Sequence, residues 1–163
     1  MRLKPSVSIY ASDKVFLDSD FIFLFSYTDG FNRRLLNVEL VIDKDYNYEL
    51  FLKSYEINHE TGKHINTTIK GDIPIEIKNT LTFLLSLKNI EKNLRHSFGY
   101  HAEDIPYCIY KFKVNNKIQN TYYYLFNPEN RKQELNLVEQ EFDKLNKDIL
   151  IWIEKLYKFF SVN

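Results

Sequence analysis

Cysteine is almost missing from this sequence of 163 residues: Cys108 is the only one. A lone cysteine closes no internal disulfide, and the opening MRLKPSVSIY has no signal-like character, so the expected compartment is the cytoplasm. A surplus of charge is missing too. The 22 Lys and Arg are matched by 22 Asp and Glu, whereas a protein that tracks a phosphate backbone shows a basic excess or a basic stripe. Nucleic acid is therefore not the expected partner. The longest apolar run, FIFLFSY at 21–27, is far too short to cross a bilayer, so no membrane association is expected either. With four glycines and four prolines, the chain has no glycine-rich phosphate cradle, and no serine nucleophile elbow is found. What fills these gaps is an abundance of Asn, Lys, Ile, Tyr and Phe, the mark of an AT-rich coding sequence and hence of a microbe or a phage.

What is present has the balance of an ordinary globular protein, with 44% hydrophobic and 27% charged residues. The length suits a single domain, residues 1–163, with a core of useful size. The aromatic share of 16% is high, and large rings both fill cores and anchor interfaces.

The first seventy residues read as strands: VSIYA (7–11), FIFLFSY (21–27), LLNVELVI (35–42), YELFLKSY (48–55) and HINTTIK (64–70). Turn formers such as Asp29-Gly30 and Asp43-Lys44-Asp45 separate them, which predicts a meandering antiparallel sheet. At Gly71-Asp72-Ile73-Pro74 the period changes. A helix follows in which Ile77, Leu81, Leu84 and Leu85 share a side; it stops near Asn89 or runs on to about His96. PYCIYKFKV (106–114) and KIQNTYYYLF (117–126) form a hairpin turned at Asn115-Asn116, two residues that tolerate left-handed backbone. A two-residue turn sets Val114 opposite Lys117, Cys108 opposite Tyr123 and Tyr107 opposite Tyr124. One face then carries Lys111 and Lys113 near the tip and Tyr107, Ile109, Tyr122 and Tyr124 near the base, which is expected to be covered on both sides.

The C-terminal segment has the clearest periodicity. Leu135, Val138, Phe142, Leu145, Ile149, Trp152, Leu156 and Phe159 recur at intervals of three and four, a stripe of about 25 residues or on the order of 38 Å. A long helix laid across the sheet as its lid is favoured over a coiled coil. The stripe widens in ILIWIEKLYKFF, which suits burial on more than one side or a homodimer through this helix. The expected fold is thus α+β: a meandering antiparallel sheet packed against two helices, the C-terminal one long.

Three stretches resemble chemistry. INHETGKHIN (57–66) is close to the HExxH of zinc proteases, but His59 and His64 are five residues apart, not four, which on a helix turns their rings about 140° away from each other. Its flanks favour strands, so Glu60-Thr61-Gly62-Lys63 reads as a hairpin tip with Gly62 at positive φ. Asp43-Lys44-Asp45-Tyr46-Asn47 begins like a calcium loop, but Tyr48 stands where the glycine belongs and Ser54 where the bidentate glutamate belongs, so a solvated hairpin loop is expected. The connection NIEKNLRHSFGYHAEDIP (89–106), if structureless, is long enough to suggest a function. In an enzyme, His96 or His101 as base, Glu103 or Asp104 as orienting acid and Cys108 as nucleophile, or a metal among them, would make a small hydrolase; the spacing fits no motif. Tyr122, Tyr123 and Tyr124 with Lys111, Lys113 and Lys117 could stack single-stranded nucleic acid, although the middle tyrosine points the other way.

Without a reaction motif, recognition of another protein is the expectation, with no catalytic residue, metal or cofactor assigned. Arg, Tyr and His serve as interface anchors on rigid scaffolds, so the expected contact residues are Arg95, His96, Phe98, Tyr100, His101, Glu103 and Asp104 in the loop and Tyr122 and Tyr124 on the hairpin. Small immunity proteins, which block a cognate toxin by binding it, share this profile of size and missing motifs, a likeness of class only.

Overall fold

A computed structural model describes residues 21–30, 34–55, 64–125 and 134–161. Strands β1 (Phe21–Thr28), β2 (Asn37–Asp43), β3 (Asn47–Tyr55) and β4 (His64–Asp72) come first. Helix α1 (Ile75–Ser86), a single turn α2 (Ile90–Asn93), the two-residue β5 (Ser97–Phe98), the hairpin β6 (Tyr107–Val114) and β7 (Lys117–Tyr124), and helix α3 (Leu137–Ser161) follow. The fold is α+β, with a long C-terminal helix as expected. The 7–11 strand and the Glu60–Lys63 tip fall outside the described residues, as do His59 and Glu60.

The seven strands of the described residues join one sheet in the order β4-β3-β2-β1-β6-β7-β5. This departs from a plain meander. β1 pairs on one side with β2 and on the other with β6, and β5 runs parallel to β7. The hairpin register is the expected one, Val114 opposite Lys117 through Tyr107 opposite Tyr124, and Asn115 and Asn116 both adopt positive φ, 50° and 61°. The loop after β2 is a hairpin loop closed by Asp43, whose carboxylate accepts the N–H of Asp45 at 2.9 Å and of Asn47 at 3.0 Å.

Strand alternation sends Phe23, Phe25, Leu40, Ile42, Leu50, Leu52, Tyr110 and Phe112 to one face, where they form the main core with residues of α1, α2 and α3. Phe142 of α3 sits at its centre, with ring centroids 4.8 Å from Tyr110 and 5.1 Å from Phe98. A bulge in β1 between Phe21 and Phe23 resets the alternation, so Phe21 and Leu24 share the opposite face and form a second buried cluster with Val41.

α3 lies across the sheet, but it is held by polar hooks as well as by its apolar stripe. Glu139 meets Arg95, Asp143 accepts the Tyr123 hydroxyl at 3.2 Å, Asn146 accepts the Tyr110 hydroxyl, and Glu154 meets Arg34 at 2.6 Å. Asn136 caps this helix reciprocally: its side-chain oxygen accepts the Glu139 N–H at 2.9 Å, and the Glu139 carboxylate accepts the Asn136 N–H at 3.3 Å. Beyond Ile149 the buried position shifts to Ile153, while Phe159, expected on the inner stripe, is 65% exposed. The reason is geometric, since a straight helix drifts relative to a strict three-four repeat.

The 89–106 connection is neither one long helix nor structureless. α1 ends where Leu87 turns extended and donates its N–H to the Leu84 carbonyl at 3.3 Å; the chain then makes one helical turn and a short parallel pairing. A third, short helix therefore joins the two expected.

Candidate binding surface

The face of the sheet opposite the main core can be read directly from the strand registers. One cross-strand row runs Lys53, Asn37, Thr28, Tyr107, Tyr124; the next runs Phe51, Glu39, Ser26, Ile109, Tyr122; a third runs Glu49, Val41, Leu24, Lys111, Asn120. Among the described residues, the buried cluster on this face consists of Phe21, Leu24 and Val41, all from strands. We refer to this side of the sheet as the second face.

Its β6–β7 end is an aromatic strip. Tyr122 and Tyr124, two apart on one strand, stack with centroids 6.3 Å apart and planes 8° from parallel. Tyr107 lies across the ladder at 6.1 Å from Tyr124, and His101 meets Tyr124 edge-on at 5.3 Å. The base of this hairpin was expected to be covered on both sides; here Tyr122 remains 36% exposed and Tyr107 and Tyr124 are half-buried.

The turn that delivers His101 is fixed from below. Gly99 and Asp104 take positive φ, 74° and 65°. Gly30 at the end of β1, with φ 66°, packs so closely that a Cβ there would lie 2.4 Å from the Asp104 carbonyl oxygen. Beside it, Asp29 is fully buried and accepts hydrogen bonds from the Tyr27 hydroxyl, from the Leu36 N–H at 3.0 Å and from Arg34 Nε at 2.7 Å. Burial works against the Arg34 charge, but its bonds to Glu154 and Asp29 outweigh that and hold its pKa above the ordinary value. Burial, reinforced by Asp29, also raises the Tyr27 pKa.

The expected contact residues divide between the two faces. His101, Tyr122 and Tyr124 come together in the strip, and Tyr100 (43% exposed), Glu103 and Asp104 lie exposed in the adjoining turn. His96 is exposed, with Nδ1 3.3 Å from the Asn120 carbonyl. Arg95 and Phe98 serve the other side. Arg95 lies over the Phe98 ring at 5.1 Å and donates Nη2 to Glu139 at 2.9 Å, while Phe98, only 4% exposed, stacks between Tyr123 and Phe142.

The parts of the hydrolase reading are also split. Cys108 is fully buried on the main-core face, and burial raises its thiol pKa, with the neighbouring Tyr110 hydroxyl opposing. His101 contacts a ring on the opposite face. Among the described residues no three of His, Cys, Asp and Glu converge on a common centre. His64 begins β4 with its ring 4.4 Å from Tyr55, an aromatic pair at the sheet edge. Lys111 and Lys113 share the face of the strip, as expected; Lys113 lies over the Phe21 ring at 4.8 Å.

The same face holds a residue that the sequence reading passed over. Glu39 lines a shallow pocket with Leu24, Ser26, Val41, Ile109 and Lys111. Its Oε1 is buried without a hydrogen-bond partner, and burial lifts its pKa to about 7 while Lys53 pulls it down. A signal was available: in LLNVELVI, Glu39 is the one charge in an apolar strand. No protein-family model matches this sequence, and no curated protein matches it. No helix among the described residues is long and apolar enough to cross a membrane.

Proposed function

We propose that this chain is a non-enzymatic binding protein of the immunity type, which neutralises a cognate toxin by docking on it through the aromatic strip and the 99–106 turn. The observation that carries this reading is the stacking of Tyr122 on Tyr124, flanked by Tyr107 and His101, on the sheet face opposite the main core. Tyrosines of this kind provide large rigid contact area with a polar tip, the composition typical of interface hot spots. The strip sits on paired strands, so little ordering cost falls on binding. A hydrolase on 95–108 has less support, because the sheet separates Cys108 from His101.

The test uses the chain and a Tyr122→Ala/Tyr124→Ala variant as baits in extracts of the native cell, with mass spectrometry. The expected result is one protein held at unit stoichiometry by the wild type, bound at least tenfold more weakly by the variant, and toxic unless the wild-type chain is co-expressed. Equal capture by both baits would remove the strip from the interface. A second reading has one observation in its favour, the placement of Lys111 and Lys113 on the face of the tyrosines. It predicts salt-dependent retention of single-stranded oligonucleotides, weakened by replacing those lysines.

A further inference from the structure

We infer that the outer edge of β4 pairs with β4 of a second copy of this chain, antiparallel and centred on Thr68, joining the two sheets into one. β4 ends the sheet on the side away from Tyr122 and Tyr124, so this contact is independent of the docking role proposed for them and leaves both strips open.

The backbone supplies the first reason. β4 is nine residues long and pairs with β3 without a bulge, from Asn47 opposite Asp72 to Tyr55 opposite His64. The Ile73 N–H bonds to the Tyr46 carbonyl at 3.4 Å, which continues this ladder and sets its phase, so the odd-numbered residues of β4 bond inward to β3. His64, Asn66, Thr68, Lys70 and Asp72 therefore aim their N–H and C=O groups outward, and among the described residues no strand meets them. A long, regular edge without proline is a template for another strand. Lysine is a usual guard of such an edge, but the Lys70 head lies 3.5 Å from Glu49 on the inner strand.

The second reason is that this edge complements itself. With Thr68 opposite its own copy, all five outward residues meet a partner: His64 faces the partner's Asp72 and Asn66 faces the partner's Lys70, each twice by symmetry. A slip of two residues either way leaves one of the five unpaired, and in one direction it sets His64 against lysine, donor against donor. These side chains lie on the second face, as Phe51 opposite Thr68 shows. There the His64 ring is held 4.4 Å from Tyr55, with a carboxylate across the ladder as its counterpart, and the paired threonines can exchange a hydrogen bond. On the core face, the half-buried Ile69 and Ile65 come to lie opposite the partner's Thr67 and the partner's Gly71, which covers apolar surface left at the end of the sheet.

The test measures the mass of the intact chain by sedimentation equilibrium up to submillimolar concentration, together with amide hydrogen exchange read residue by residue. Expected is a rise from one chain to two, with the Asn66, Thr68 and Lys70 amides gaining protection as it occurs and those of Thr67 and Ile69 protected throughout. Thr68→Lys and Thr68→Glu each set like charges opposite one another across the two-fold axis and should each weaken pairing about tenfold, whereas an equimolar mixture of the two should pair about tenfold more tightly than either alone. Thr68→Pro keeps the inward bonds of the strand and removes the central outward N–H, so it should remain a folded single chain. A single-chain mass at every concentration would overturn the inference. So would dimers in which the outward amides exchange freely, as in pairing through α3, or charged variants that fail to recover on mixing.

Discussion

Arg95, just beyond α2, closes its guanidinium on the carboxylate of Glu139, 44 residues further along in the first turn of α3. The Glu139 side chain is 5% exposed and that of Arg95 39%, so the acid is the buried member of the pair. The hydrogen bond from Arg95 holds Glu139 below the ordinary carboxylate range and raises the Arg95 pKa in return. The contact joins the start of the lid helix to the edge of the sheet.

Replacing Arg95 with Ala leaves that buried acid without its cation and should cost about 2 kcal/mol. For a chain of this size the unfolding midpoint would fall by roughly 4–8 °C. Because the Glu139 pKa is depressed in the folded state, the pair's contribution is present above the ordinary glutamate value of 4.5 and is lost as pH falls through the lowered one. Urea unfolding of wild type and Arg95→Ala should therefore differ at pH 7 and converge in acid. A constant difference across that range would count against the pair.

Glu39 has the opposite linkage. Its folded value of about 7 lies above the reference of 4.5, so its contribution is complete below pH 4.5 and is lost as pH rises through 7. Glu39→Gln, which never ionises, should match the wild type near pH 4 and exceed it at pH 8 by about 1 kcal/mol, after allowance for the partial exposure of the group. Chemical denaturation at the two pH values measures this, and a wild type that gains on the variant as pH rises would contradict it.

Gly30→Ala should destabilise by about 2–4 kcal/mol, from the positive φ of 66° and from the overlap of the new Cβ with the Asp104 carbonyl. Gly30→Asn tolerates the φ but meets the same overlap, so it should recover little. If asparagine restored full stability on thermal unfolding, the close approach between the two loops would not be the cause.

Periodicity made β1 to β4, β6, β7 and α3 legible, and the left-handed tolerance of Asn115 and Asn116 fixed the hairpin register to the residue. What escaped were relations that carry no local pattern. Ser97–Phe98 is too short to show an alternation, and its parallel pairing with β7 joins distant segments. Arg95 looks like an interface anchor in a polar loop until its partner in α3 is known. The Asn136-x-x-Glu139 capping box was visible, and would have drawn attention to Glu139, though not to Arg95. Leu35 at φ 45° and Tyr46 at φ 62° make tight bends without glycine, so composition gave no notice of them. Of the site, the tyrosines were legible from strand parity. The pocket beside Ser26 was not, because it depends on β1 lying between β2 and β6.

That central position of β1 bears on how the chain is made. β2, β3 and β4 can zip together soon after leaving the ribosome, but the other flank of β1 waits for β6, and the face carrying Phe23 and Phe25 waits for α3. During roughly the seconds needed to translate the intervening segment, the nascent sheet has an open backbone edge beside an oily surface. Factors that shield such intermediates should matter more for the yield of this protein than for its stability once complete.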